Sequence, residues 1–466
     1  MTIIIPANSA ADTGFSVANS CRFNDGDSAY LSRTLGTPTD NNVWTFSFWI
    51  KRGILGSAMQ LFDSDTGSGD EGYLMINAGN DPAVNIYDSA GNTAQFNISR
   101  KLRDPSAWMH IVWNFNSGDS TAGDRMQIWY NGVRGTDFTT NTQPALNDGS
   151  TINEAKAHRI GAKMNDSRYF DGYLAEVVFI DGSALAPTSF GEFDEDSPTI
   201  WKPKDVSGLT FGDNGFYLDF EDSSALGNDV SGNNNDWTAN NLAAADQATD
   251  TPTNNFCTLN PLIRQVAEET GGLSEGNTEV LFSGASWGGV SSTMAPAAGK
   301  WYFEGKLIAN GSNSIIGVVP ANTQGKDNTG TWYIGQYSGE QAYQNNGAAS
   351  NGGASFGNTY TDGDIIGVAL DCDNAKVYFS KNGTLENSGD PSSGATGTGA
   401  MSLTAGEFYT PAVSGNGVTN WEMNFGNPPY ANSSDAADAN GYGAFEYAPP
   451  SGYLALCTKN LGSDGG

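Results

Sequence analysis

The sequence predicts an all-β protein made of two consecutive antiparallel β-sandwich domains. Charged residues make up only 16% of the 466 residues, whereas aromatic residues reach 11% and glycine occupies 59 positions. Short stretches rich in aromatic and β-branched residues alternate with Gly, Asn, Asp and Ser, which is the pattern of strands joined by turns. The chain is also too long for one ordinary core, and roughly 150–200 residues per domain predicts two or three domains, of which we take two.

The predicted strands fall into two blocks of sequence, which a less regular stretch separates. We predict an N-terminal arm over 1–20, a first sandwich over 21–199 and a structured connector over 200–261. A second sandwich is predicted over 262–430, and residues 431–466 are predicted to form a C-terminal tail. The connector is rich in Asn, Asp and Gly, but its aromatic residues make it too apolar for a free linker.

Period-two alternation identifies the strands of the first block. It places Trp44, Phe46 and Phe48 on one face, which we expect to be buried, and Trp49 on the opposite face. Further strands are predicted at Gly72–Asn77, Ala83–Tyr87, Ala94–Ser99, Trp108–Asn116, Arg125–Tyr130 and Tyr173–Ile180.

The second block shows the same features. Its clearest strands are predicted at Lys300–Leu307, Ser314–Val319, Ile365–Asp371, Lys376–Ser380 and Trp421–Phe425. The third of these is a continuous apolar run, so we expect Ile366, Val368 and Leu370 to be buried. In both blocks a strand runs into Asn-Gly, at Asn131-Gly132 and Asn382-Gly383. This dipeptide favours a type I′ hairpin, because both turn positions need positive φ.

Net charge and hydropathy exclude several classes of partner. The net charge of -30, from 22 Lys and Arg against 52 Asp and Glu, would repel a polyanion, so we expect no nucleic-acid partner. No stretch approaches the roughly 20 apolar residues of a membrane helix, and the apolar run Ile3–Pro6 is much shorter than the core of a signal peptide. We therefore expect no membrane insertion, and release by a route other than secretion, such as lysis.

The first block resembles a laminin-G-like, concanavalin-type jelly roll. The resemblance rests on five pieces that follow the order usual in that family: 28–32, 46–50, 108–112, 128–132 and 170–177. It implies a sandwich of two antiparallel sheets. One departure is Ala175-Glu176-Val177, where the family often has Asp-Glu-Val, and it weighs against a metal role for this segment.

The second block resembles a SPRY domain, which is also a concanavalin-like sandwich. The matching pieces are the Gly-Asp turn and buried strand over Asp362–Asp371 and the strand and hairpin turn over Lys376–Gly383. Upstream, Lys300–Glu304 is similar to the family's entry strand. The resemblance implies a second jelly roll.

The pairing of the two blocks, joined by 250–261 and ending in 449–458, is similar to virion proteins of marine bacteriophages. This resemblance implies a tail-fibre or tail-associated adhesin that binds a host-surface glycan or protein and contacts other virion proteins. We also expect a homo-oligomer, located in the virion and extracellular after lysis. A capsid decoration or head-fibre protein is the alternative that the sequence does not separate from the first. A polysaccharide-cleaving enzyme is the third.

Catalytic patterns are sparse. Some concanavalin-like sandwiches are glycosidases that place carboxylates at period two on one strand. Glu192 and Asp194 have this spacing, but prolines on both sides predict a loop. The four cysteines lack a CxxC spacing, and neither His110 nor His158 has a GxSxG elbow nearby. Zinc and serine chemistry are therefore not expected, and we predict no enzymatic activity.

Calcium is the only cofactor that the sequence admits. A Gly-rich turn is crowded by four carboxylates that could supply hard oxygen ligands: Asp63, Asp65, Asp70 and Glu71. Leu74 stands where an EF-hand would need its last glutamate, so a solvated turn is the alternative. A second acidic loop, 229–236, offers either metal ligands or a network of Asx turns, and we expect turns.

An aromatic cluster is the candidate ligand-binding site. Trp332, Tyr333, Tyr337 and Tyr343 lie in a Gly-, Gln- and Asn-rich stretch of the second block. Pyranose rings stack on such aromatic faces while neighbouring amides bind the hydroxyls. Loops usually carry recognition, so we predict a sugar-binding platform here; core packing of the same residues is the alternative.

Overall fold

The computed structural model describes residues 14–65, 69–88, 91–264, 272–283, 287–321, 341–344, 346–348 and 355–464. The chain divides into two compact units between Thr253 and Asn254. Antiparallel strands dominate both units, which confirms the predicted all-β class with two consecutive jelly rolls. Of the residues described, none belongs to a helix that is both long and apolar enough to cross a membrane.

The first unit contains β1 to β18. Their bounds are β1 (Ser20–Phe23), β2 (Tyr30–Thr34), β3 (Val43–Arg52), β4 (Met59–Asp65), β5 (Glu71–Ile76), β6 (Pro82–Asp88), β7 (Gly91–Ile98), β8 (Met109–Asn116), β9 (Met126–Tyr130), β10 (Val133–Arg134), β11 (Phe138–Thr142), β12 (Ala157–Ile160), β13 (Gly172–Asp181), β14 (Gly191–Phe193), β15 (Trp201–Pro203), β16 (Phe216–Leu218), β17 (Thr238–Asn240) and β18 (Gln247–Ala248).

Two eight-stranded sheets face each other across the core of the first unit. One has the order β10-β9-β8-β3-β13-β1-β18, with β16 also paired to β13, and the other has the order β11-β7-β6-β5-β4-β12-β2-β17. Trp44, Phe46 and Phe48 are buried, as predicted. Phe46 packs on Phe62 of the facing sheet with 4.5 Å between ring centroids. Trp49 joins a separate apolar cluster, as the alternation predicted.

Most of the predicted connector lies inside the first unit. β16 pairs with β13, with Leu218 opposite Val177, while β17 pairs with β2 and β18 with β1. Lys51 of β3 forms a buried ion pair with Asp250, with 2.5 Å between Nζ and Oδ2. The structure therefore corrects the boundary: residues up to Thr253 complete the first sandwich. Strands of two or three residues leave no periodic signal in the sequence.

The second unit contains β19 to β32 and the helix α1. Their bounds are β19 (Leu259–Arg264), β20 (Gly272–Ser274), β21 (Glu279–Phe282), β22 (Trp287–Ser292), β23 (Lys300–Ala309), β24 (Asn313–Pro320), β25 (Gln341–Gln344), β26 (Ile365–Asp371), β27 (Lys376–Lys381), β28 (Thr384–Leu385), β29 (Met401–Ser402), β30 (Tyr409–Asn416), β31 (Thr419–Asn424), β32 (Leu454–Ala455) and α1 (Thr458–Asp464).

A five-stranded and a nine-stranded sheet form the second unit. Their orders are β19-β22-β30-β24-β25 and β20-β21-β31-β23-β26-β27-β28, with β29 on β27 and β32 on β23. Ile366, Val368 and Leu370 are buried between them, as predicted. The predicted C-terminal tail is part of this unit, because β32 pairs with β23 and Phe445 packs on Tyr302 with 5.1 Å between ring centroids.

Both Asn-Gly turns have the predicted backbone conformation. Asn131 and Gly132 have φ of 46° and 74°, and Asn382 and Gly383 have φ of 48° and 77°. Each joins two paired strands, β9 to β10 and β27 to β28. The two residues of each turn are therefore both left-handed, as a type I′ hairpin requires.

Candidate ligand-binding site

The predicted aromatic platform is only partly within the described residues. Trp332, Tyr333 and Tyr337 lie outside them. Tyr343 lies in β25, where its side chain is fully buried and its ring centroid is 5.0 Å from that of Tyr360. A ring without exposed surface cannot stack on a sugar, so the prediction is wrong for Tyr343. The alternation of β25 points this ring into the core.

Asp63 of the predicted calcium site is a buried structural carboxylate. Its Oδ1 accepts a hydrogen bond of 2.8 Å from Gln60 Nε2, and its Oδ2 accepts one of 2.7 Å from the backbone N–H of Met164. Burial raises the pKa of Asp63 to about 7. Both oxygens of Asp63, one of the four predicted calcium ligands, thus accept hydrogen bonds from the protein, and calcium would have to displace them.

Glu71 is also engaged by the protein. Its Oε1 lies 2.6 Å from Lys163 Nζ in an ion pair, and a neighbouring cation opposes calcium binding. Across the described residues, no group of three or more His, Cys, Asp or Glu side chains is placed to hold a metal ion. A calcium site that uses Asp65 and Asp70 stays a prediction.

Glu192 and Asp194, whose spacing is that of a glycosidase pair, both lie near Lys202. Glu192 lies in strand β14 and not in the predicted loop. Lys202 Nζ is 3.7 Å from Glu192 Oε1 and 3.4 Å from Asp194 Oδ2. Asp194 also accepts backbone hydrogen bonds from Asp196 and Ser197, which lowers its pKa. Neither contact raises the pKa of Asp194 as a general acid would require.

His110 is a buried histidine whose two ring nitrogens both have hydrogen-bond partners. Its Nε2 lies 2.8 Å from Ser47 Oγ, and its Nδ1 accepts a hydrogen bond of 3.0 Å from Trp201 Nε1. Burial lowers its pKa to about 3. The ring is neutral at physiological pH and both of its nitrogens have partners, which suits packing and not proton transfer.

The acidic loop 229–236 is a network of turns, as expected. Asp229 Oδ1 accepts hydrogen bonds from the N–H groups of Tyr217 and Ser231, at 2.9 Å each. Its Oδ2 accepts one of 2.7 Å from the N–H of Asn235. These bonds give the loop a defined shape next to strand β17.

A cavity of ≈ 490 Å³ opens beside this loop in the first unit. Its volume is within the range of small-molecule sites, roughly 300–1,000 Å³. The lining comes from one turn and from the segment around β17: Ser223, Ser224, Ala225, Leu226, Gly227, Asn228, Asp236, Trp237, Ala239, Leu242, Ala243 and Ala244.

The apolar side of the cavity is continuous with the core. Leu226 and Trp237 are buried, and the Trp237 ring packs edge-on against Phe216 with 5.0 Å between centroids. The N–H of Trp237 donates a hydrogen bond of 2.7 Å to the carbonyl of Gly227. A Cβ at Gly227 would lie 1.8 Å from the Trp237 carbonyl oxygen, so this close approach requires glycine.

Three polar side chains line the same cavity with spare hydrogen-bonding capacity. Within the described residues, neither the Ser223 hydroxyl nor the Asn228 side-chain amide bonds to another protein group. Asp236 uses Oδ1 to accept a hydrogen bond of 2.9 Å from the N–H of Asp229. These groups can therefore bond to water or to a ligand.

Contacts to the body of the sandwich hold the wall of the cavity. Arg33 of β2 donates hydrogen bonds of 2.6 Å to the Asp236 carbonyl and to Asn235 Oδ1. Asn240 Nδ2 donates one of 2.9 Å to Ser32 Oγ. This site was not predicted from the sequence, because its wall lies in the stretch that was assigned to a connector. The one feature of the sequence that could have indicated the site is Trp237, a single tryptophan within a stretch rich in Asn, Asp and Ser.

Two family models match the chain. Residues 24–188 match the concanavalin A-like lectin/glucanases superfamily, and residues 300–427 match the SPRY domain. The chain carries a laminin-G-like domain followed by a SPRY domain. Both sequence resemblances are thereby confirmed, and these domain types support a binding role. The cavity lies beyond the matched residues of the first domain.

Known proteins are similar to single regions of the chain. A Ran-binding proteins 9/10 homolog of Drosophila melanogaster is 28% identical over 120 residues, which span 24% of this chain and 12% of that protein. The SPRY domain of human HERC1 aligns at 14% identity and a TM-score of 0.26, over 35% of this chain and 96% of that chain. A candidate carbohydrate binding protein of Bacteroides ovatus aligns at 14% identity and a TM-score of 0.32, over 48% and 59%.

Proposed function

We propose that this protein is a non-enzymatic adhesin on the surface of a bacteriophage virion, which binds a host-surface glycan or protein. The observation that carries the proposal is the cavity of the first unit, where polar groups with spare hydrogen-bonding capacity stand beside an apolar wall. Such a combination orients a small polar ligand while excluding water from its apolar parts. The similarity of the domain pair to phage virion proteins supports the placement in the particle.

The acidic surface bears on how the protein would approach its host. At a net charge of -30, the chain repels a bacterial surface that is itself anionic, so contact must rely on uncharged groups. The Ser223 hydroxyl and the Asn228 amide are such groups. Adsorption should therefore strengthen as the ionic strength rises from about 0.01 M to 0.15 M, because salt screens the repulsion.

Two neighbouring alanines allow a matched test of the cavity. Ala244 lines it, whereas Ala245 does not, and both are exposed in the same short 3₁₀ helix. We expect Ala244→Trp to fill the cavity and to weaken binding at least about tenfold, and Ala245→Trp to bind like the unmodified protein. Binding is measured on intact marine bacteria and on an array of their purified surface polysaccharides, with circular dichroism to confirm folding.

Two outcomes would count against the proposal. If both tryptophan variants bind as the unmodified protein does, the cavity is not the recognition site. If the protein binds neither cells nor polysaccharides, while antibodies against it label the capsid of purified particles, a decoration role replaces the adhesin. Sugar release from the arrayed polysaccharides, abolished by Glu192→Gln, would instead indicate an enzyme.

A further inference from the structure

Among the described residues, the only ionisable side chain that lines the cavity of the first unit is acidic. Asp236 is the only ionisable side chain in its lining, and no Lys, Arg or His lines it within the described residues. Arg33, which donates to the Asp236 carbonyl and to Asn235 Oδ1, does not itself line the cavity. Glu221 and Asp222, which precede the lining turn, are exposed carboxylates. An anionic ligand would therefore meet the Asp236 carboxylate and find no cation among the described residues of the cavity lining to pair with.

The polar groups match hydroxyls better than they match a carboxylate. Asp236 can only accept hydrogen bonds, and its Oδ1 already accepts one from the N–H of Asp229. The Asn228 amide and the Ser223 hydroxyl can both donate and accept. A hydroxyl group also does both, so adjacent sugar hydroxyls can donate to Asp236 and accept from Asn228. A ligand carboxylate has only acceptors to offer and would oppose Asp236 directly.

The apolar lining adds a second requirement. Leu226, Leu242 and the methyl groups of four alanines line the same cavity. A ligand that fills it needs an apolar patch next to its hydroxyls, as the C–H face of a pyranose or the methyl of an acetamido group provides. We propose that the cavity selects neutral pyranosides and rejects acidic sugars. This selectivity rests on the proposed function, since it names the ligand class of the same site.

Calorimetric titration of the full chain tests the selectivity. The probes are methyl glucoside, methyl N-acetylglucosaminide and methyl glucuronide, which differ in the acetamido and carboxylate groups. The unmodified protein is expected to bind both neutral sugars at least about tenfold more tightly than the glucuronide, because like charges repel at contact distance. Asn228→Ala should weaken neutral-sugar binding roughly tenfold, since it removes bonds to a hydroxyl.

A charge-matched pair of variants isolates the role of Asp236. Asp236→Asn keeps an oxygen that can accept the hydrogen bond from Asp229, so the turn is retained. It should reduce the preference for neutral sugars to within about threefold. Asp213→Asn removes the same charge from an exposed position outside the cavity and should leave the preference unchanged.

The outcomes separate this selectivity from the proposed function. Equal affinity for glucoside and glucuronide, or an unchanged preference in Asp236→Asn, overturns the selectivity even if Ala244→Trp abolishes binding to the polysaccharide array. Failure of all three sugars to bind, with array binding still sensitive to Ala244→Trp, overturns it as well, because the ligand is then not a pyranoside. If array binding is insensitive to Ala244→Trp, the proposed function itself fails.

Discussion

Replacing Asp250 by alanine removes an anionic partner of a buried cation, Lys51. Both side chains are at most 1% exposed, and 2.5 Å separates Lys51 Nζ from Asp250 Oδ2. Asp250 Oδ1 also accepts a hydrogen bond of 2.9 Å from Trp108 Nε1. Asp250 comes from the segment that the sequence assigned to a connector, whereas Lys51 belongs to the central strand β3. The substitution therefore tests whether that segment is part of the first sandwich.

The expected loss follows from the burial of the pair. Removing one partner of a buried ion pair costs about 3–5 kcal/mol, because the other charge is left in the interior without compensation. Amides of β3 that exchange only through global unfolding should then exchange roughly a hundred- to several-thousand-fold faster. Combining Asp250→Ala with Lys51→Met should recover part of the loss, since the buried lysine charge is then removed as well.

Hydrogen exchange read by mass spectrometry resolves this effect within the full chain. Peptides from β3 report on the first unit, and peptides from β26 of the second unit serve as an internal reference. Asp213→Ala, at an exposed position, should change the free energy of unfolding by no more than about 0.5 kcal/mol. If Asp250→Ala behaves like Asp213→Ala, the ion pair does not contribute as reasoned and the segment is not integral to the sandwich.

Three further predictions concern pH, the cavity and the aromatic stretch. Burial raises the pKa of Glu176 to about 8. The protonated side chain therefore contributes to stability at acidic pH, and this contribution is lost as the pH rises through about 8. The melting temperature of Glu176→Gln should depend less on pH between about 5 and 9 than that of the unmodified protein. Gly227→Ala should lower the melting temperature and weaken array binding, because its methyl would clash with the Trp237 carbonyl. If the aromatic stretch is a second recognition site, Trp332→Ala should weaken adsorption to host cells roughly tenfold, and unchanged adsorption by a folded variant that also carries Tyr333→Ala would leave the cavity as the recognition site.

Local patterns account for what could be predicted of the fold. Strand β3 was predicted because alternation marks Trp44, Phe46 and Phe48 as one face, and all three are buried. The Asn-Gly turns were predicted because positive φ at consecutive residues limits the residue types that can occupy them. These features depend on neighbours within a few positions, and a single sequence displays them directly.

Distant pairings account for what was missed. Ala248 pairs with Ser20, although the two residues are at opposite ends of the sequence of the first unit. The two-residue strand that contains Ala248 is too short to show an alternating pattern. Tyr343 looked like a loop aromatic because its neighbours are Gly, Gln and Asn, yet β24 pairs with β25 and buries the ring. Asp63 has the residue type of a calcium ligand, but only the structure shows that its Oδ2 accepts a hydrogen bond from the N–H of Met164.

The sequence by itself determined the all-β class, the two jelly rolls, most strands and the hairpin turns, because spacing along the chain encodes them. Only the tertiary structure decided which carboxylates are buried, where the first sandwich ends and that Ser223, Asn228 and Asp236 share one cavity. The physical reason is that burial and hydrogen bonding depend on partners that are remote in sequence. In a sheet protein those partners are chosen by non-local strand pairing.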